Sequence, residues 1–223
     1  MSKLVLGLYV EGSTDRRFLQ PIIERIATEI LVKNNRGDAW DDTIILPIEP
    51  IVRKRESQAQ KILAAATEAC GCYLLIIHAD ANGPTAAEAR KNRFNPGLEL
   101  VRQAGGRVCQ DILPIIPIQE IEAWLLADKE ALLKVLDANK NMSELGIPSI
   151  RKIESTAQPK ERLEDIIRIA NQFRRYHIDR DDLYEPLGET IRLEKLAGLS
   201  AYQQFISDLT DTLINLGIIL RVH

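Results

Sequence analysis

Residues 73–80 read YLLIIHAD. Leu74, Leu75, Ile76 and Ile77 form an unbroken apolar run, so neither face of a strand built here can be left to water. A strand of this kind belongs inside a sheet covered on both sides, and helices between parallel strands supply that cover. Three other runs suit the same sheet: KLVLGLYV at 3–10, TIILPIEPIV at 43–52, and GRVCQDILPIIPI at 106–118. Pro47 and Pro50 place the second of these at an edge.

Between the runs the period changes from two to between three and four. From Thr14 on, Phe18, Leu19, Ile22, Ile23, Ile26, Ile30 and Leu31 mark one helix face. Pro21 within it predicts either a helix that starts there or one that kinks there. Residues 57–69, SQAQKILAAATEA, are strong helix formers. Helical stretches follow over 84–104, loosened near Pro96 and Gly97, and again over 119–128. The alternation predicts an α/β fold, a mostly parallel four-stranded sheet flanked by helices, over residues 1–128. Residues 129–223 are expected to be a mainly helical C-terminal region packed on it. Within that region 137–158 read as loop, 159–173 as an amphipathic helix, and 200–216 as a last helix capped by Ser200 and stopped by Gly217. A chain of 223 residues suffices for one good core with such an appendage.

The formal net charge is −3 and the isoelectric point is about 5.7. Attraction to nucleic acid would therefore have to come from a local basic patch or from bound cations. Local clusters exist at Arg53-Lys54-Arg55, at Arg90, Lys91 and Arg93, and at Arg174-Arg175. Each also reads as a solvated face. Cys70 and Cys72 are too close together for a zinc knuckle, and with Cys109 as the third cysteine no second pair follows. This suits a reduced, cytoplasmic setting. The apolar start, residues 4–10, is too short to span a bilayer, so no membrane partner is expected.

In an open parallel sheet, sites form beyond the carboxyl ends of the strands. Glu11 follows the first strand, Asp80 ends the third, and Asn82 lies two residues further on. Gly12 and Gly83 give the backbone room to turn beside them. Carboxylates brought together repel unless a cation lies between them, and oxygen donors suit Mg²⁺ or Mn²⁺. Each residue also has a structural alternative. Glu11 could accept amides at the following helix start. Asp15 could be an ordinary first-turn acid, His78 a strand histidine satisfied in the core, and Asn82 a turn residue. Asp80 at the mouth of a buried strand is the hardest to explain structurally. On the predicted helix 119–128, Glu122 falls among Ile118, Ile121, Leu125 and Leu126, while Glu120 faces the polar side. A carboxylate in that apolar arc needs a partner, either a buried arginine or the same metal cluster.

YVEGSTDRRFL resembles the start of the OLD-type nucleases, LLIIHADANG resembles an Asp-x-Asp element, and PIQEIEAWLLAD resembles the Glu-bearing helix that follows in such proteins. In this order they resemble the Toprim fold, the metal-binding α/β domain shared by topoisomerases, primases and OLD nucleases. Most of the chain, including PKERL and GETIRLEKLAGLSAYQQFISDL, is similar to a bacterial Toprim-related family, domain of unknown function 4276. Members of that family often sit beside ATPases in phage-defence settings.

The resemblance implies Mg²⁺- or Mn²⁺-dependent cleavage of a nucleic-acid phosphodiester, DNA ahead of RNA. It also implies an ATPase protein partner; a homo-oligomer is compatible with the sequence but not implied by the resemblance. As metal ligands it implies Glu11, Asp15, Asp80, Asn82 and Glu122, with Asp15 toward a second ion and Glu122 either a further ligand or behind the others. Glu11 and Asp80 would be catalytic and Lys160 a transition-state cation; if the local basic clusters serve binding, Arg53, Lys54, Arg55, Lys91 and Arg93 would be the substrate-binding cations. Two ions about 4 Å apart would activate water and stabilise the leaving oxygen. The second acid of Asp-x-Asp is Asn82 here, and an amide oxygen can ligate a cation but brings no charge. That keeps open a second function, a catalytically weak Toprim-like binding or regulatory subunit. A phosphatase of the haloacid-dehalogenase kind with Asp80 as nucleophile is opposed by Asn82 and by Thr85, which comes one place late.

Overall fold

The structure, a computed structural model, describes residues 2–34, 39–52, 55–137, 146–172 and 177–220. The first half alternates as expected: β1 (Ser2–Tyr9), α1 (Ser13–Lys33), β2 (Trp40–Pro47), α2 (Gln58–Glu68) and β3 (Leu74–His78). Then come α3 (Ala87–Ala89), a π-helical turn (Arg90–Phe94), α4 (Asn95–Ala104) and β4 (Ile112–Ile115). The strands lie in the order β2-β1-β3-β4 and every pairing is parallel. The chain leaves β1 toward β2 on one side and β3 toward β4 on the other. The switch point, where a crevice opens in such sheets, is therefore between the carboxyl ends of β1 and β3.

Alternate side chains feed two cores. Leu4, Leu6 and Leu8 of β1, with Leu74 and Ile76 of β3, pack under α1 and the later helices. Leu75 and Ile77 face the other way, onto Ile62, Ala65 and Ala66 of α2 and onto Phe94 and Val101. Every residue of β3 is buried, as a run apolar on both faces requires. Gly97 is what allows α4 to lie against α2, since a Cβ there would come within 2.6 Å of Ile62 Cδ1.

After β4 come α5 (Glu122–Leu125), α6 (Lys129–Val135), α7 (Ile150–Ile153), α8 (Pro159–Asn171), a 3₁₀ turn (Arg180–Asp182), α9 (Tyr184–Thr190), α10 (Leu193–Leu196) and α11 (Ser200–Asn215). They close over α1, and Trp124, Leu132, Leu163, Leu187 and Phe205 join the same core as Leu6 and Ile76. α9 crosses α1 at Gly188, where a Cβ would sit 2.6 Å from the Phe18 carbonyl oxygen. Arg25 of α1 ties the crossing by donating to the carbonyls of Gly188, at 3.1 Å, and Ile191, at 2.7 Å. Among the described residues no helix is long and apolar enough to cross a membrane.

Several local expectations change. α1 starts at Ser13 and runs through Pro21, which excludes the late start. The proline forgoes one ladder hydrogen bond in a helix anchored by a long buried face. β2 begins before residue 43 and ends at Pro47, on the sheet edge where its prolines are tolerated. The helix expected over 119–128 is a single turn, α5. Gln119 takes a left-handed conformation (φ 63°) before it, and Asp128 begins the next helix by accepting from the amides of Glu130 and Ala131. Ser200 is the first residue of α11 rather than its cap. Glu154, brought from beyond α7, accepts from Ser200 N at 2.9 Å, Ser200 Oγ at 2.7 Å and Ala201 N at 2.9 Å. Gly217, at φ 69°, stops the helix as expected.

Candidate functional site

The site is built where β1 and β3 run out. Beyond β1 the chain passes through Val10 and Glu11 and enters α1 after an extended Gly12 that offers no capping side chain. Asp15, in the first turn, folds back so that its Oδ2 would stand 3.3 Å from a Cβ at Gly12. Beyond β3 the ladder continues into the loops: Ala79 N donates to Ile115 O (3.2 Å), Ala81 N to Pro117 O (2.9 Å) and Asn82 N to Gln119 O (2.8 Å). Gln119 N returns a bond to Gly83 O at 3.0 Å. Asn82 and Gln119 are both left-handed here, at φ 52° and 63°, a region that asparagine tolerates better than most residues.

These ends enclose a cleft of about 120 Å³ lined by Glu11, Asp15, His78, Ala79, Asp80, Asn82 and Arg93. The wholly buried His78 ring lies between two acids. Its Nδ1 is 3.6 Å from Asp15 Oδ2 and its Nε2 is 3.4 Å from Asp80 Oδ1. The second contact is at ion-pair range but off-line for a hydrogen bond, and Nε2 has no hydrogen-bond partner. Asp80 Oδ1 also accepts from Ile121 N at 2.8 Å, and Arg93 Nη1 donates to the Asp80 carbonyl at 2.8 Å. Glu11 is paired with Lys61 of α2 at 3.3 Å.

The charges are unevenly settled. Burial raises the pKa of Asp15; Asp80 and Glu11 raise it further, and His78 and Lys160 offset only part of this. Burial pushes the pKa of His78 down, but contact with Asp80 and the charges of Asp80, Asp15 and Glu11 outweigh it and hold it above the ordinary value. The ring is thus drawn toward the imidazolium form by the acids around it.

Of the residues singled out in the sequence, Glu11, Asp15, Asp80, Asn82 and Arg93 meet at this cleft. Lys160, exposed at the start of α8, is within electrostatic reach of Asp15, and its backbone amide donates to Glu120 Oε2 at 3.2 Å. Glu122 does not line the cleft. It is buried, its Oε1 accepts from the Tyr184 hydroxyl at 2.8 Å, and Arg180 lies within electrostatic reach of it. Burial raises its pKa, the Tyr184 bond works against this, and the charge of Asp80 adds to the rise. Arg55 and Lys91 are exposed outside the cleft, and Arg53 and Lys54 fall outside the described residues. Two participants had no distinguishing signal. His78 reads the same in sequence whether it bridges acids or fills core, and Lys61 is one lysine on a polar helix face.

Among the described residues no three of His, Cys, Asp and Glu stand close enough together to enclose a metal ion. The donor chemistry nevertheless fits a hard divalent cation. Glu11, Asp15, Asp80 and Asn82 offer oxygen donors, and the charges of Asp80 and Glu11 add to the raised pKa of Asp15, a rise that a cation between them would relieve. Closure is what is missing, because Glu11 is held by Lys61 and Asp80 by the Ile121 amide.

A scan against known protein families matches residues 10–197 to a domain of unknown function, DUF4276. Neither a search of curated proteins nor a search of solved structures returned a match. The matched span covers most of the sequence and includes every cleft residue, and the chain belongs to the DUF4276 family.

Proposed function

We propose that the chain is a Toprim-type, Mg²⁺- or Mn²⁺-dependent nuclease acting on nucleic-acid phosphodiesters, DNA ahead of RNA. On this reading it is a component of a phage-defence system that works with an ATPase and self-associates. The observation that carries the reading is the meeting of Glu11, Asp15 and Asp80, from three separate elements, at the switch point of a parallel sheet.

Glu11, Asp15 and Asp80 would hold the cation, and Asn82 would add a neutral oxygen. When bound, the metal supplies a nucleophile at neutral pH and charge for the leaving oxygen. His78 keeps Asp15 and Asp80 on opposite sides of one ring. Arg93 fixes the Asp80 backbone and lines the cleft, where its remaining N–H donors can meet a phosphate. Lys160, at the start of α8, is within electrostatic reach of Asp15. Arg55 and Lys91, with Arg53 and Lys54, would follow the flanking backbone. Glu122, tied to Tyr184, stands behind the cation ligands and supports the wall next to Asp80.

The test is incubation of the purified chain with supercoiled DNA, linear DNA and RNA in Mg²⁺ or Mn²⁺, alone and with the ATPase. Cleavage that disappears in Glu11→Ala and Asp80→Ala is expected; no cleavage of any substrate under either condition overturns the reading. A second reading, a binding or regulatory subunit with weak catalysis, is favoured by Asn82 and by the open arrangement of the acids. It predicts a complex with the ATPase that survives Glu11→Ala and no nuclease activity.

A further inference from the structure

We propose that Lys61 is an exchangeable cation of this site. It holds Glu11 while no divalent ion is bound, gives the carboxylate up when one binds, and then takes a phosphate oxygen of the substrate. This rests on the metal-dependent reading above and adds a residue to it.

Three observations support the assignment. First, Lys61 is the cation paired with Glu11, at 3.3 Å, and both side chains are partly exposed, 28% and 43%. A pair so placed is weakly fastened, and a divalent ion with further carboxylates can displace it. Second, the base of Lys61 is fixed. α2 opens with a capping box in which Ser57 and Gln60 satisfy each other's amides, and Ile62, the next residue, is wholly buried against Gly97 of α4. The ammonium can swing only on its own stem, over the rim that carries Glu11. Third, the pairing accounts for the openness of the site, since Glu11 is drawn to α2 while Asp15 and Asp80 face His78. A cation close to Glu11 and the Lys61 ammonium would repel each other, and an anion arriving at that cation would attract both. A lysine acts there as a compact point charge suited to phosphate.

The experiment uses the full chain and needs no cleavage. Mn²⁺ binding is measured by calorimetry for the native protein, Lys61→Met, Lys61→Arg and Asp80→Asn. Binding of a fluorescent DNA oligonucleotide is followed by anisotropy in Ca²⁺. Lys61→Met should tighten Mn²⁺ by about twofold to fivefold, the worth of a half-exposed ion pair, and weaken the oligonucleotide by a similar factor. Lys61→Arg should return both values toward native. If the native protein binds Mn²⁺ through Asp80 but Lys61→Met binds it equally or more weakly, the role of Lys61 is overturned while the metal site stands. If Mn²⁺ tightens but the oligonucleotide is unaffected, the hand-over to phosphate is overturned. If neither the native protein nor Lys61→Met binds Mn²⁺, the metal reading fails and this proposal fails with it.

Discussion

Two carboxylate centres in this molecule are built on opposite plans. Asp128 is fully buried and fully engaged. Its Oδ1 accepts from Glu130 N (3.2 Å), Ala131 N (3.2 Å) and Arg192 Nη2 (2.7 Å), and its Oδ2 from Arg192 N (3.1 Å) and Nε (2.7 Å). Burial alone would raise its pKa, but these bonds and the charge of Arg192 hold it down at about 2. In the cleft, Asp15 and Asp80 share one imidazole instead while Glu11 pairs with Lys61, and Asp15 is pushed the other way. A carboxylate that serves the fold collects every donor it can use. Carboxylates left near one another with unfilled acceptors are candidates for a functional site.

The sharpest test of that contrast is stability. Asp128→Ala removes an N-cap and strands buried donors, and should cost about 3 kcal/mol in urea unfolding. Glu11→Gln and Asp15→Asn should stay within about 0.5 kcal/mol of native. Equal losses would erase the distinction.

The next test is pH, with chelator present. Asp128 has a folded pKa of about 2 against about 3.9 unfolded, so its contribution is present above the unfolded value and lost as pH falls toward 2. Asp128→Asn should flatten that acid limb. For Asp15 the sign reverses. Its folded pKa is raised, so the proton favours folding at low pH and that contribution is lost as pH rises through the folded value. Asp15→Asn should therefore gain on native protein as pH rises above about 4.

Asn82→Asp sharpens the comparison at the cleft itself. It restores a fourth charge at a position whose left-handed backbone accepts aspartate, and Mn²⁺ affinity should rise by about tenfold in calorimetry. The smallest effect is expected for Glu122→Gln, which keeps an acceptor for Tyr184. Mn²⁺ affinity should then change by less than about twofold, and a larger loss would make Glu122 a direct ligand.

Much of the frame was legible. The two-faced apolar run at 74–77 required an inner parallel strand, and β3 is one. Glu11 and Asp80 were placed at strand ends by the apolar runs before them, and parallel topology does bring those ends together. Pairings across long separations were not legible: Lys61 with Glu11 is 50 residues apart, Tyr184 with Glu122 is 62, and Arg192 with Asp128 is 64. Each depends on the rotation of a helix about its axis, which periodicity constrains for apolar residues and leaves loose for polar ones. The over-long helix at 119–128 has a related cause. Its apolar spacing is helical, but the crossing of Gln119 with Asn82 and the capping by Asp128 claim its two ends.

The π-helical turn at Arg90–Phe94 also constrains sequence length. Such a turn accommodates an extra residue within a helix. Deleting one residue there would make the helix regular and redirect the side chains within the turn, while the segments on either side kept nearly their present phase. Phe94 could keep its buried seat, or Arg93 its bond to the Asp80 carbonyl, but the two are set by one register. Insertions and deletions between residues 87 and 104 should thus be rarer than the exposed, polar character of that stretch suggests, because the helix carries a deliberate miscount that aims one guanidinium at the cleft.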